Sequence, residues 1–215
     1  MSCVRVVITT LTHDTMIKQP DMSDLFQMAS GQRGYFTVRQ ARESGVSNDL
    51  VKHHIRSGRF ICVYRGVYRL RDYLSTMREE VAAAWLAVGK DQAVIFHESA
   101  LDLLEISDII PNAINITVPR SRRYLSPPAG ITLHTSTRPL EASDVTHRDG
   151  IRITSPIRTI VDVAEAGTSV EHVERSVAEA IQAGMTSARR LQAAAASRSQ
   201  RVQRVIEQAI ELAVP

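Results

Sequence analysis

The sequence contains few cysteines and no long apolar run. The first absence excludes a small disulfide-stabilised fold, and the second excludes a membrane-spanning helix. Its two cysteines, Cys3 and Cys62, cannot form a disulfide framework. Cys62 alternates with apolar neighbours and is predicted to be a buried strand residue. No run of about eighteen apolar residues occurs, and the start of the chain lacks the features of a secretion signal, so a cytoplasmic protein is expected. Residues 1–20 are predicted to be a disordered tail, with Met22 as an alternative start.

Metal-binding and kinase motifs are also missing. The seven histidines include one close pair, His53-His54, without acidic neighbours at ligand spacing, so no metal site is predicted. His147-Arg148-Asp149 matches the catalytic tripeptide of protein kinases, but the asparagine expected five residues later is Thr154. A glycine-rich phosphate loop and a DFG motif are absent. The tripeptide is therefore predicted to be a turn that leads into a strand.

The stretch His97-Glu98-Ser99 looks at first like a fragment of a hydrolase site. Neighbouring residues on a helix point to different faces, so this histidine and serine cannot by themselves form a nucleophile and base pair. A role in capping a helix or in packing the core is predicted instead.

Positive charge is concentrated in one part of the chain. The formal net charge is +3, yet residues 20–73 alone hold nine bases against five acids, which gives +4. Residues 74–215 hold fifteen bases and seventeen acids, a balance of −2. A local excess of bases is typical of a module that binds a polyanion. The first of these two regions is therefore predicted to bind nucleic acid.

Residues 21–73 carry the pattern of a winged helix-turn-helix domain. SDLFQMAS is predicted to form a first amphipathic helix, and TVRQARESG a short second helix with a capping box between Thr37 and Gln40. Ser47 is predicted to cap a third helix. RFICVY and VYRL alternate as strands do, and Arg65-Gly66 between them suits a tight hairpin turn. Helices followed by such a wing are an ordinary DNA-binding module.

The third helix is predicted to enter the major groove, while the second helix and the wing meet the phosphate backbone. The alternative is a solvated basic face without a partner. The predicted contacts are Thr37, Arg39, Gln40, Asn48, Lys52, His53, Arg56, Arg65 and Arg69.

Residues 74–215 are predicted to form a mixed domain of helices packed on a small β-sheet with a helical C-terminus, which makes the whole chain α+β. REEVAAAWLAVG and HESALDLLEI are predicted helices, and NAINITVP, GITLHTS and GIRITS are predicted strands. SPIRTIVDVAEAG has Ser155 as N-cap and Gly167 as terminator. The following helix is predicted to start with a capping box between Thr168 and Glu171. The remaining alanine-rich stretch is predicted to form one or two helices.

Two groups of arginines stand out in this otherwise slightly acidic region: one in the loop RSRRYLSPPAG and one in the last helix. The simpler interpretation is solvated surface, and the alternative is a docking surface for an acidic partner protein. The residues concerned are Arg120, Arg122, Arg123, Arg201 and Arg204.

The chain resembles the AbiEi-type antitoxins of bacterial type IV toxin-antitoxin operons over nearly all of residues 30–190. The resemblance rests on an ordered set of stretches: GYFTVRQARESGVS, IRSGRFICVYRGVYRL, HESALDLLEI, INITVP, GITLHT and ITSPIRTIVDVAEA. Actinobacterial proteins of this kind commonly stand beside a nucleotidyltransferase-fold toxin. A composition rich in Arg and Ala, with scarce Lys, fits a high-GC bacterium.

The resemblance implies a winged-helix domain that binds inverted repeats in its own promoter and represses the operon, as a monomer or a dimer on DNA. It extends the expected DNA contacts to Ser47. It also implies a C-terminal domain that neutralises the toxin and that need not form a stable complex with it. The toxin is therefore the partner expected for the two groups of arginines in residues 74–215. No cofactor and no membrane partner are expected.

Two other functions remain open. The antitoxin domain could act enzymatically on the toxin, for instance as an atypical protein kinase that uses ATP and Mg²⁺, or the protein could be a plain transcriptional regulator with a sensor domain. Related front halves also occur fused to a nuclease-like domain. This chain lacks the acidic pair and E-x-K arrangement that would hold Mg²⁺, so a nuclease is not expected.

Overall fold

The computed structural model describes residues 22–135 and 139–213. The predicted tail at residues 1–20 lies outside the described residues. The first module of the structure contains three helices and a small antiparallel sheet in the strand order β1-β3-β2. Its elements are α1 (Met22–Ser30), β1 (Tyr35–Thr37), α2 (Val38–Glu43), α3 (Asn48–Arg56), β2 (Phe60–Tyr64) and β3 (Val67–Leu70).

Local hydrogen bonds set the ends of the short helices in this first module. The Thr37 hydroxyl accepts a bond from the Gln40 backbone N–H at 3.2 Å, and the Gln40 side chain accepts one from the Thr37 N–H at 2.9 Å. The predicted capping box is therefore present. The Ser47 hydroxyl accepts from the Leu50 N–H at 3.2 Å and caps α3, as predicted. Between the two helices Gly45 takes a φ of 80°, which favours glycine.

The hairpin of the first module is present, but one of its buried positions was wrongly predicted. The turn lies at Arg65-Gly66, where Gly66 has a φ of 81°. Cys62 is exposed, contrary to the prediction of a buried strand residue. The reason is that β2 is an edge strand of the sheet, and of its residues only Phe60 is fully buried. The unpredicted strand β1 pairs with the inner strand β3.

The second module contains a five-stranded mixed sheet in the order β6-β5-β4-β8-β7. The three predicted strands are confirmed as β5, β6 and β8, whereas β4 and β7 were not predicted. The tripeptide at 147–149 ends β7 and begins the turn into β8, as predicted. The elements of this part are α4 (Glu79–Val88), β4 (Val94–Ile95), α5 (His97–Leu104), β5 (Ile114–Val118), β6 (Ile131–Thr135), β7 (Val145–Arg148) and β8 (Ile151–Thr154).

Four further helices complete the second module. Pro156 begins the first of them and Gly167 ends it with a φ of 86°, as predicted. The capping box predicted between Thr168 and Glu171 is absent, because Ser169 is the N-cap and its side chain makes no capping bond. The alanine-rich stretch forms two helices. The bounds are α6 (Pro156–Ala166), α7 (Val170–Gln182), α8 (Ala188–Ala195) and α9 (Gln200–Ala213).

Buried side chains form two clusters, and the two modules meet where the larger cluster extends into the first module. The smaller cluster lies among α1, α2, α3 and the three-stranded sheet, with Phe36 and Phe60 in edge contact at 4.9 Å between ring centroids. The larger cluster contains α4 and most of the five-stranded sheet and its helices, together with Tyr35 and Val67. Helix α4 therefore packs on the outer face of the three-stranded sheet and joins the modules.

Candidate DNA-contacting surface and a cavity in the second module

Helix α3 has a buried side and an exposed polar side. Val51 and His54 are buried against the small core. Of the exposed residues, Lys52 forms an ion pair with Asp49 at 3.1 Å and keeps 63% of its side chain accessible. The predicted groove-facing residues Asn48, Lys52, His53 and Arg56 are all exposed. A helix with this exposed face can place its polar residues against base edges and phosphates.

Arg39 is the most accessible predicted contact on α2. Its side chain is 76% exposed, pairs with Glu43 at 2.8 Å, and lies 3.9 Å from the Asp91 carboxylate of the second module. Arg42 at the other end of α2 donates to the Asn48 side chain at 2.8 Å and so links α2 to the start of α3. Both arginines lie where the first helix of a helix-turn-helix meets the DNA backbone.

Two predicted contacts at the start of α2, the N-cap Thr37 and Gln40, hold the module together instead. Gln40 is only 5% exposed, so the prediction that it touches DNA is wrong. Its amide donates to the Gln32 side chain at 2.8 Å, and Gln32 in turn donates to the Tyr35 carbonyl at 3.0 Å. The Thr37 hydroxyl is occupied on both sides by Gln40, which makes it a helix cap. By contrast, Ser47 is exposed, and its hydroxyl can donate a proton while it caps α3.

The two predicted wing contacts have different environments. Arg65 is exposed at the hairpin turn. Arg69 is 8% exposed, so the prediction that it touches DNA is wrong. Its guanidinium donates to the Tyr73 carbonyl at 2.9 Å and to the Ser75 hydroxyl at 3.0 Å, and it pairs with Glu79 at 3.2 Å. Helix α4 covers the face of β3 on which Arg69 lies, so the side chain is not available at the surface.

The five arginines predicted to meet the toxin lie on two separate elements. Arg120 and Arg122 lie in a 3-10 turn after β5, and Arg123 stacks on the exposed ring of Tyr124 at 4.2 Å. Arg201 donates to the Ala164 and Glu165 carbonyls at 2.9 and 2.8 Å, so it caps the C-terminal end of α6. The fifth residue, Arg204, is exposed on α9.

A cavity of about 270 Å³ lies in the second module, beside the start of α5. His97 and His134 line it with ring centroids 5.7 Å apart, and Phe96 contacts both rings. His97 has a φ of 53°, which is unusual for a residue other than glycine. The charged residues of the lining are Arg158, Asp162, Glu165 and Arg198.

Burial dominates the electrostatics of the two histidines. It lowers the pKa of His134, and it lowers the pKa of His97 although the Asp162 carboxylate acts in the opposite direction. The two arginines of the lining are already paired, since Asp162 accepts from Arg158 at 2.6 Å and from Arg198 at 3.0 Å. The cavity thus combines neutral imidazoles with matched ion pairs and offers no excess of positive charge for a polyphosphate.

This cavity was not predictable from the sequence, because its lining comes from six separate stretches of the chain: residues 96–97, 117, 134–135, 140, 158–166 and 198. Within residues 22–135 and 139–213, no group of three or more His, Cys, Asp or Glu is arranged to hold a metal ion.

The Ser99 hydroxyl accepts from the Asn115 N–H at 2.9 Å and joins α5 to β5. The role predicted for the stretch 97–99, in helix capping or core packing, thus fits this serine. In the described part of the chain, no helix is long and apolar enough to cross a membrane.

The fold and the exposed face of α3 define a class of protein: a winged-helix regulator that carries a second α+β module. Comparison with protein-family models supports this class. Residues 23–71 match the family model described as "Transcriptional regulator, AbiEi antitoxin", and residues 92–212 match the "AbiEi antitoxin C-terminal domain". The second match covers more than half of the chain. The chain therefore belongs to the AbiEi antitoxin family, with a DNA-binding regulator domain in its N-terminal part.

A solved structure supports the fold independently. The crystal structure of the RV2827C protein from Mycobacterium tuberculosis is similar with a TM-score of 0.56 at 15% sequence identity. The similarity covers 89% of this chain and 76% of that one. At this identity the comparison concerns the fold alone. No match was found among curated proteins.

Proposed function

We propose that this antitoxin represses its own operon by binding inverted repeats in the promoter, and that its second module neutralises a nucleotidyltransferase-fold toxin encoded beside it. One observation carries the DNA-binding part: the exposed polar face of α3, with Lys52 and Arg56, lies within a complete winged helix-turn-helix. In this arrangement α3 enters the major groove, and Arg39 of α2 meets the flanking phosphates.

Binding of this kind depends on salt, because each neutralised phosphate releases condensed counterions. An inverted repeat presents two half-sites related by a two-fold axis, so it takes two copies of the chain. The copies can be paired before binding or can meet on the DNA. Footprinting of the upstream DNA of the gene would locate the half-sites and their spacing.

The DNA-binding proposal is tested by fluorescence anisotropy with the upstream DNA of the gene and the double variant Lys52→Ala plus Arg56→Ala. We expect an affinity loss of at least about tenfold and a salt slope smaller by about 2, since two cationic contacts are removed. The matched control is Arg189→Ala plus Arg190→Ala, which removes two exposed charges from α8. Unchanged affinity in the first variant would exclude α3 as the DNA-contacting helix.

Neutralisation is tested in cells that express the neighbouring toxin. The antitoxin should restore growth, and the intact mass of the recovered toxin separates two mechanisms. An unmodified toxin supports neutralisation by binding or by protection of the target. A gain of one phosphate would show that the toxin is modified, and purified components would then show whether this chain is the kinase. A neighbouring gene without a nucleotidyltransferase fold would contradict the toxin that we propose.

A further inference from the structure

Three rings line one side of the cavity beside α5, and we call them the aromatic wall: Phe96, His97 and His134. The Phe96 ring contacts the His97 ring at 4.2 Å and the His134 ring at 4.7 Å between centroids. Side chains of neighbouring residues point apart in a regular helix or strand. His97, the first residue of α5, departs from both conformations with a left-handed φ of 53°, and its ring meets that of Phe96. A strained backbone angle of this kind is typical of ligand-binding sites.

His134 contributes an unused hydrogen-bonding nitrogen to the aromatic wall. Its Nε2 atom is buried, and no residue in the part of the chain that the structure describes forms a hydrogen bond with it. A buried polar atom without a partner costs free energy, and a ligand that supplies the partner recovers it. The imidazole can also turn about χ2, which is a soft torsion angle, because no hydrogen bond to a described residue is broken at Nε2. A polar ligand in the cavity can therefore bind to His134.

The charges of the lining favour an uncharged ligand. Arg158 and Arg198 both pair with Asp162, and Arg198 also pairs with Glu165, so the lining holds two cations and two anions. Burial lowers the pKa of both histidines of the aromatic wall, so their imidazoles are neutral near pH 7. A phosphate group inside the cavity would add an unbalanced charge beside buried groups.

The size and polarity of the cavity narrow the ligand further. Its volume of about 270 Å³ lies near the lower limit of ligand cavities, which is about 300 Å³. A sugar alone would need many unpaired polar partners, whereas the charged groups of this lining are already paired. A purely apolar ligand would leave the His134 nitrogen without a partner. A nucleobase is flat and uncharged near pH 7, stacks on aromatic rings, and carries hydrogen-bond donors and acceptors along its edge.

We propose that the cavity beside α5 binds one nucleobase, which stacks on the aromatic wall and forms a hydrogen bond with His134. The base belongs either to a free nucleoside or to an unpaired nucleotide of a nucleic acid, since both present the same atoms. In the second case the phosphates stay outside the cavity, in solvent. This site is separate from α3, so it does not depend on the proposed operator binding.

NMR of the imidazole resonances detects this binding in the unmodified, full-length chain. The probes are adenosine, inosine, cytidine and uridine, each titrated to about 5 mM. We expect at least one of them to bind with a dissociation constant between about 10 µM and 1 mM, which is ordinary for a ligand of this size. Binding should shift the resonances of His97 and His134. The exposed His147 is the internal control, and its resonances should stay in place.

Ala166→Trp tests the location by filling the cavity. Ala166 lines the cavity but is exposed, so a larger side chain can enter the space without displacing the core. This variant should lose nucleoside binding, whereas Ala193→Trp, at an exposed position of α8 outside the lining, should retain it. His134→Phe keeps a ring, removes the nitrogen, and should weaken binding about tenfold. Thermal unfolding shows whether each variant is folded. Full binding by a folded Ala166→Trp variant would place the base elsewhere and overturn the proposal.

Two RNA probes distinguish the sources of the base: a single strand of about four nucleotides and a blunt-ended duplex. An unpaired nucleotide as the source predicts that the single strand displaces the nucleoside and shifts the same imidazole resonances, while the duplex does not, because its bases are paired. Binding of the nucleoside alone identifies a free nucleoside as the source. If neither the nucleosides nor the single strand shift the resonances of His97 and His134, the proposal is wrong. Operator DNA should bind equally to Ala166→Trp and to the unmodified chain, so this proposal and the proposed function fail separately.

Discussion

Arg33 and Asp149 form an ion pair although 116 residues separate them in the chain. Arg33 lies between α1 and β1, and Asp149 lies in the turn between β7 and β8. Their φ angles are 58° and 50°, a left-handed conformation that costs free energy in residues other than glycine. The Arg33 guanidinium also donates to the Met77 carbonyl. These contacts tie the winged-helix module to an edge of the large sheet and help to fix α2 beside the turn at residues 89–92.

Replacing Gly150 by alanine should weaken this junction. Gly150 has a φ of +77°, and a Cβ there would lie 2.7 Å from the Gly31 carbonyl oxygen. We expect Gly150→Ala to lower the free energy of unfolding by about 2 to 4 kcal/mol, because backbone strain and a steric clash add. The control is Gly130→Ala, where φ is +80° but no atom lies within 4 Å of the added Cβ. That variant should lose about 1 to 2 kcal/mol through strain alone. Urea unfolding of both variants provides the comparison, and equal losses would argue against a tight junction.

Arg69 should contribute to stability rather than to direct DNA contact. Its side chain is 10% exposed and that of its partner Glu79 is 21% exposed, so removing one charge leaves the other partly buried. We expect Arg69→Ala to cost about 2 to 4 kcal/mol of unfolding free energy. Lys52→Ala should leave unfolding nearly unchanged, because that residue is an exposed cation, but it should weaken DNA binding.

A double-mutant cycle with Glu79→Gln measures how much of the Arg69 effect depends on the ion pair. The opposite result would identify Arg69 as a DNA contact: Arg69→Ala would then leave the unfolding curve unchanged and weaken DNA binding as strongly as Lys52→Ala does.

Acid should destabilise the protein through one buried histidine, His54, and two partly buried ones, His97 and His134. Burial lowers the folded-state pKa values of His54, His97 and His134 below the usual 6.5. As the pH falls through about 6.5, the unfolded chain takes up protons that the folded chain does not yet bind, so stability falls until the folded-state pKa values are reached. Chemical unfolding at pH 7.5 and pH 5 should show this loss. His134→Gln should reduce the pH dependence, because it removes one of the groups whose pKa burial lowers.

The features that were correctly predicted are mainly those determined by neighbouring residues. The capping box of α2, the cap of α3 at Ser47 and the hairpin turn at Gly66 each depend on bonds or backbone angles within a few residues. Their residue types are therefore visible in a single sequence. The exposed face of α3 was predictable for the same reason, because helical spacing alone separates it from the buried face.

The wrong predictions concern the burial or exposure of side chains, which depends on segments that are distant in the sequence. Arg69 occupies an alternating strand position that would face solvent in an isolated hairpin, but α4 packs over it. Gln40 was assigned to the DNA face, although its amide completes a bond to Gln32 eight residues away. Cys62 has the neighbours of a core residue, yet its strand lies at the edge of the sheet. The alternation of residue types along a strand shows that the two faces of the sheet differ in polarity. It does not show which segment packs on each face.

The cavity beside α5 depends on Asp162, whose carboxylate is shared by two arginines. The side chains of Arg158 and Arg198 are 10% and 8% exposed, so Asp162→Asn would leave two buried cations with incomplete pairing. We expect a loss of about 3 kcal/mol in unfolding free energy. Glu165→Gln is the matched control, because that residue also pairs with Arg198 but its side chain is 42% exposed. It should cost at most about 1 kcal/mol.

The same substitution should change the titration of His97 in a predictable direction. The negative charge of Asp162 raises the pKa of His97 and so opposes the larger effect of burial. Removing that charge should lower the His97 pKa further, which NMR of the imidazole resonances can follow in the folded protein. Since the pH range over which the unfolded chain alone binds the proton would then widen, acid should cause a larger total loss of stability in the Asp162→Asn variant than in the unmodified chain. A His97 pKa that stays constant or rises would show that the carboxylate does not act on the imidazole across this cavity.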